Sequence, residues 1–65
     1  MEWFEKLRFA RKVAGLSLRD VKAKTGISDA FLCQIESGKI KDLSYFKLRK
    51  LLMLYNLDHS DLEGE

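Results

Sequence analysis

Residues 18–37 read LRDVKAKTGISDAFLCQIES, and this stretch decides the fold. Leu18, Val21 and Thr25 recur at spacings of three and four, and Leu32 and Ile35 sit three apart, so each half is a short helix with one narrow apolar stripe. Gly26 follows Lys24 and Thr25, where a helix ending in the left-handed conformation favours a residue without a Cβ. Ser28 is placed to start the next helix, its hydroxyl accepting from a free amide of the first turn. The linker is too short for anything but a bent pair.

Two short helices joined at a steep angle through a Gly-containing turn describe a helix-turn-helix, whose second member can enter the DNA major groove. Outward from it, EWFEKLRFARKVA over residues 2–14 forms a preceding helix. Trp3 or Phe4, Leu7, Ala10, Arg11 and Ala14 share one side of it, and Gly15 closes it. Ser17 and Asp20 form a capping box at the start of the second helix. The third runs over residues 29–37 and is ended by Gly38. After a polar connector anchored by Ile40 and Leu43, a fourth helix covers residues 44–57, capped by Asp42 or Ser44, with Leu48, Leu51, Leu52 and Tyr55 as its core stripe. Residues 58–65 hold at most one last turn around Leu62 and otherwise fray. The expectation is one all-α domain over residues 1–65, a compact bundle of four to five short helices.

A chain of 65 residues buries only about 60% of the surface that its unfolded form exposes, so a large catalytic cleft is not expected. Apolar residues make up 46% and charged residues 34%, a balance that suits a compact domain and argues against disorder. No apolar run approaches the roughly 20 residues needed to span a bilayer, and the start lacks the apolar core of a signal peptide, so a cytoplasmic, nucleoid-associated protein is expected. One cysteine and one histidine, His59, exclude an internal disulfide and a structural zinc site, and no metal or cofactor is expected. Nor does any Ser, His and Asp grouping or Gly-rich phosphate loop point to an enzyme. The net charge is +2, but residues 1–50 hold all 12 bases against six acids, whereas residues 51–65 hold four acids and no base. This asymmetry fits a body that faces phosphates and an acidic end, at 58–65, kept away from them. An ordinary lysine-rich helical surface has the same composition.

With the helices placed, the segments LRFARKVAGLSLRDV, KTGISDAFLCQIESGK and SYFKLRKLLMLYNL resemble the phage-repressor and Cro-like helix-turn-helix family over almost the whole length. The resemblance implies a lambda-repressor-like bundle and sequence-specific binding of double-stranded DNA as a dimer. It also implies a partly buried ion pair between Arg11 and Glu36, which match the positions that form one in that family. A departure is Lys22, where members place Ala; its stem can snorkel out of the contact between the two helices.

With Leu32 and Ile35 inward, the third helix turns Asp29, Ala30, Cys33, Gln34 and Ser37 outward. Gln34 can match the N6 and N7 edge of adenine, and Ala30 can touch a thymine methyl. Asp29 either supports the cap or accepts from a cytosine amine. Cys33 lies on the same face; a redox role finds little support, since no basic neighbour in sequence would lower its pKa. Ser17, Arg19, Ser28, Ser37, Lys39 and Lys41 are the candidate phosphate donors. Phe31 either presses on the DNA backbone or completes the core.

A single short helix reads only about four to six base pairs, so a homodimer on half-sites about 34 Å apart is expected. Phe46, Met53 and Leu54, with Tyr55 or Leu57, are candidates for its interface. Alternatively they cover a core broadened by Trp3 and Phe4. The competing function is a protein-interaction module of the same fold, antitoxin-like or anti-repressor, which the acidic Asp29 and the modest net charge favour.

Overall fold

A computed structural model describes residues 2–40 and 43–63, with the backbone alone for His59 and Glu63. Within them the chain is all-helical: α1 (Trp3–Val13), α2 (Leu18–Thr25), α3 (Asp29–Glu36), α4 (Tyr45–Leu54) and α5 (His59–Glu63). Lys41 and Asp42 lie outside the described residues. Ser44 is the cap of α4, its hydroxyl accepting from the Lys47 amide at 3.3 Å.

Local chemistry explains each start. Glu2 and Glu5 form a reciprocal capping box on α1. On α2, Ser17 Oγ accepts from the Asp20 amide at 3.1 Å while Asp20 Oδ2 accepts from the Ser17 amide at 2.9 Å. The Ser17 amide, and then the Ser17 hydroxyl, hold the Asp20 carboxyl below its ordinary range. Ser28 starts α3 by accepting from the Phe31 amide at 3.1 Å.

The ends rely on left-handed residues. After α3, Gly38 at φ 81° lets its own amide reach the Ile35 carbonyl at 3.2 Å and lets the Lys39 amide reach the Gln34 carbonyl at 3.1 Å. Gly38 also lies under the Phe4 ring, which a Cβ would meet at 2.7 Å. The same double closure ends α4, with Asn56 at φ 58° and the Leu57 amide on the Leu52 carbonyl at 2.8 Å. The fourth helix therefore ends three residues earlier than its apolar run implies, because Asn tolerates the left-handed turn that stops it.

The core is formed by Leu7, Val21, Ile27, Leu32, Ile35, Leu51 and Leu52. Ile27, in the turn, is a core residue that periodicity does not reveal. Thr25 positions it by donating to the Val21 carbonyl at 2.7 Å and accepting from the Ile27 amide at 3.2 Å. Phe31 and Leu54 pack half-buried against this core, Leu54 contrary to its expected outward setting. Lys22 is exposed, so its stem leaves the α2–α3 contact undisturbed. Ala14, expected on the core side of α1, is exposed, whereas Phe9 and Val13, 62% and 71% exposed, form an apolar face that the single-stripe reading of that helix overlooks.

Gly38→Ala should cost about 1–2 kcal/mol from the left-handed backbone, and more from displacement of the Phe4 ring. Thermal unfolding followed by circular dichroism should show a midpoint lowered by roughly 5–15 °C.

Candidate nucleic-acid interface

Burial of Leu32 and Ile35, at 1% and 0% exposure, fixes the rotation of α3 about its own axis. Asp29, Ala30, Cys33, Gln34 and Ser37 are consequently all exposed on one face. Asp29 Oδ1 accepts from the Ala30 amide at 2.9 Å, so its carboxylate supports the first turn of the helix. Ser37 Oγ donates to the Gln34 carbonyl at 3.1 Å, which commits its proton and leaves only acceptor capacity. Cys33 is a free, exposed thiol.

The position of α3 is held by a fork. Arg11 Nε and Nη2 donate to the two carboxylate oxygens of Glu36 at 2.8 and 3.0 Å, and Nη1 donates to the Leu16 carbonyl at 2.9 Å. One side chain of α1 thus ties the far end of α3 and the loop before α2 together. The two side chains are 12% and 9% exposed, so each charge needs the other. The hydrogen bond to Glu36 raises the Arg11 pKa further. Tyr55 is adjacent: burial, and then the negative charge of Glu36, push its phenol up to about 12.

Cations gather at both ends of the exposed face, from elements far apart in sequence. At the end carrying Cys33 and Ser37, Arg8 of α1 lines a shallow groove with those two residues and Leu18. At the opening end, Lys47 and Lys50 of α4 line a second depression with Ser28 and Phe31. Lys47 Nζ stands 4.4 Å from the centre of the Phe31 ring, and Lys50 Nζ donates to the Thr25 carbonyl at 3.3 Å. Phe31 therefore serves the core and also supports a cation beside the turn. Arg8, Lys47 and Lys50 were not among the donors read from the sequence. Only the helix packing brings them to this face. Arg19, Ser28 and Lys39 are exposed, Ser17 is exposed with its oxygen engaged in its capping box, and Lys41 lies outside the described residues.

The sequence has counterparts among known proteins. The profile of the family described as "Helix-turn-helix domain" matches residues 4–62. The chain is a member of that family. A segment of glutamine–fructose-6-phosphate aminotransferase [isomerizing] from Methanocaldococcus jannaschii is similar, 32% identical over 57 residues. The match covers 88% of this chain but 5% of that protein, so the activity in that name belongs to a much longer polypeptide. No solved structure matches. Among the described residues of this helix-turn-helix domain, no group of His, Cys, Asp or Glu is arranged to hold a metal ion, and no helix is long and apolar enough to cross a membrane.

Arg11→Ala leaves the Glu36 carboxylate without its partner in a nearly buried site and should cost about 3 kcal/mol in urea denaturation, whereas Arg11→Met with Glu36→Leu should fall within about 1 kcal/mol of the parent. The Tyr55 phenol has a second measurable consequence. Its folded pKa lies above the ordinary phenol value of 10.0, so the unfolded state loses that proton first, and stability should fall as pH rises from 10.0 towards about 12. Tyr55→Phe should remove that part of the alkaline loss, as read from thermal midpoints across the same range.

Proposed function

We propose that this domain is a sequence-specific DNA-binding transcriptional regulator that lays α3 in the major groove. In this reading it acts as a repressor, as a homodimer on a pseudo-palindromic operator, and works in the cytoplasm with the nucleoid. The observation that carries the reading is the exposed face of α3 with Arg8 at one end and Lys47 and Lys50 at the other. A helix in the major groove has a sugar-phosphate strand on either side, so cations are wanted at both ends of the reading face and uncharged hydrogen-bonding groups between them.

The roles then divide. Gln34 reads adenine through its amide, Ala30 meets a thymine methyl, and Cys33 lies against the base edges between them. Asp29 contributes chiefly through the Ala30 amide, which reduces the weight of its charge as an argument for the protein-interaction module. Ser17, Arg19, Ser28, Ser37, Lys39 and Lys41 contact phosphates or their bridging waters, joined by Arg8, Lys47 and Lys50. Phosphate contacts set register and affinity without sequence information.

Band shifts on random duplex DNA should weaken steeply with added salt, and Arg8→Ala, Lys47→Ala or Lys50→Ala should each reduce the magnitude of the log–log slope by about one. Gln34→Ala should leave that slope unchanged and cost about 1–3 kcal/mol at a single base pair of a selected site, relaxing the preference there. Binding of no duplex DNA at low salt would refute the regulator and favour the interaction module.

A further inference from the structure

Two apolar surfaces stay uncovered, and they differ in shape and charge. On α4, Phe46 and Met53 are 67% and 70% exposed. Phe46 sits beside Lys47 and Lys50, with Lys50 Nζ 4.8 Å from its ring centre, and Met53 shares a depression with Lys24 and Lys50. Every charge in those two depressions is positive, which suits the phosphate contacts already given to Lys47 and Lys50.

The other surface is a groove of about 400 Å³ between α1 and the segment from Tyr55 to Leu62, within the roughly 300–1,000 Å³ of ordinary small-molecule sites. Phe9 and Val13 form one wall, and Tyr55, Leu57 and Leu62 the other. Lys6, the first of the α1 residues along it, closes one end: its Nζ donates to the Asp61 and Leu62 carbonyls at 3.2 and 3.4 Å and so straps α1 to α5. A helix or strand laid along the groove would run into that strap, whereas a compact molecule stops short of it.

The charged groups of the lining are Lys6 and Asp61, one of each sign. Lys6 is bound to the two carbonyls, and Asp61 Oδ2 accepts from the Asp58 amide at 2.8 Å. An ion would find neither a net opposite charge nor a ready partner here, so the groove favours an uncharged occupant. Tyr55 supplies a polar handle. Its half-buried hydroxyl makes no hydrogen bond among the described residues, and with its pKa pushed up to about 12 it keeps its proton at neutral pH and can donate to an acceptor.

We infer that this groove binds a small uncharged molecule, with an aromatic or branched aliphatic body against Phe9, Val13, Leu57 and Leu62 and a carbonyl or similar acceptor at the Tyr55 hydroxyl. The site is independent of the DNA-binding reading, since it uses none of the residues assigned to bases or phosphates. On α1 the groove wall and Arg8 lie on different sides of the helix, because Arg8 lines the depression with Cys33 and Ser37 while Phe9 and Val13 line this one. An occupant therefore leaves the exposed side of α3 open. It also borders the motif: the charges of Glu36 and Arg11 both act on the Tyr55 phenol, so the ligand lies one residue away from the fork that holds α3.

Titration of the whole chain into Prodan, an uncharged naphthyl ketone whose emission shifts to the blue in apolar surroundings, tests this directly. The shift should saturate at one probe per chain. Val13→Lys should weaken binding by at least about tenfold, a loss of 1.4 kcal/mol or more, Tyr55→Phe should weaken it about threefold to tenfold, and Met53→Lys should bind like the parent. Circular dichroism should be unchanged in Val13→Lys and Met53→Lys, because both side chains are exposed. Phe9→Gln, at a position 62% exposed on the same wall, gives a second reading should Val13→Lys unfold, and it too should weaken binding. A shift that never saturates, one untouched by Val13→Lys and Phe9→Gln, one unchanged by Tyr55→Phe, or one lost with Met53→Lys would each overturn the inference. So would binding that weakens as protein concentration rises while sedimentation shows the chain associating, because a second copy would then cover the groove.

Discussion

Everything on the exposed side of α3 depends on what happens at Leu32, Ile35 and Glu36. The two aliphatic side chains set which way the helix faces, and Glu36, gripped by Nε and Nη2 of the Arg11 guanidinium, holds the end of the helix in place. Burial alone is non-directional and would tolerate some rolling of an eight-residue helix against its neighbours. A bidentate fork in a nearly dry site does not, because turning the helix would strand two charges. The same guanidinium holds the Leu16 carbonyl, so the loop that begins α2 is placed by the group that places α3. The angle between the two helices of the motif is thus secured from outside as well as by the Thr25 and Ile27 plug within the turn.

The surface divides by charge as a result of that packing. Cations from α1 and α4 converge on the two ends of the α3 face, while Asp61 lies across the groove lined by Phe9 and Val13 on another side of α1. A net charge of +2 would predict only weak attraction to a polyanion. Local potential matters more than the total, and the packing brings Arg8, Lys47 and Lys50 beside the exposed face of α3. It also gives the two exposed apolar surfaces different surroundings, one wholly basic and one of mixed sign.

Stability is shared among many small devices, as a chain of this size requires. Reciprocal capping boxes begin α1 and α2, a serine hydroxyl begins α3 and another begins α4, and left-handed residues close the ends. Gly38 combines two of these tasks, since it closes α3 and also makes room for the Phe4 ring, which joins the first helix to the third. Short helices depend on such termini because a helix of eight residues has few internal hydrogen bonds relative to its unpaired end groups.

Helix spans, caps and the inward and outward faces of α3 were legible from the order of residues, since they follow from a period of 3.6 and from hydrogen bonds within four positions of each other. Even there, the apolar run of α4 masked its stop at Asn56, where the left-handed backbone outweighed side-chain pattern. The sequence could not show that Arg8, Lys47 and Lys50 would share a surface with Ser28 and Ser37, nor that Ile27 would leave its turn for the core, nor that Phe9 and Val13 would stay uncovered. Those outcomes are decided by where one helix lies upon another, a long-range geometry that no local periodicity encodes.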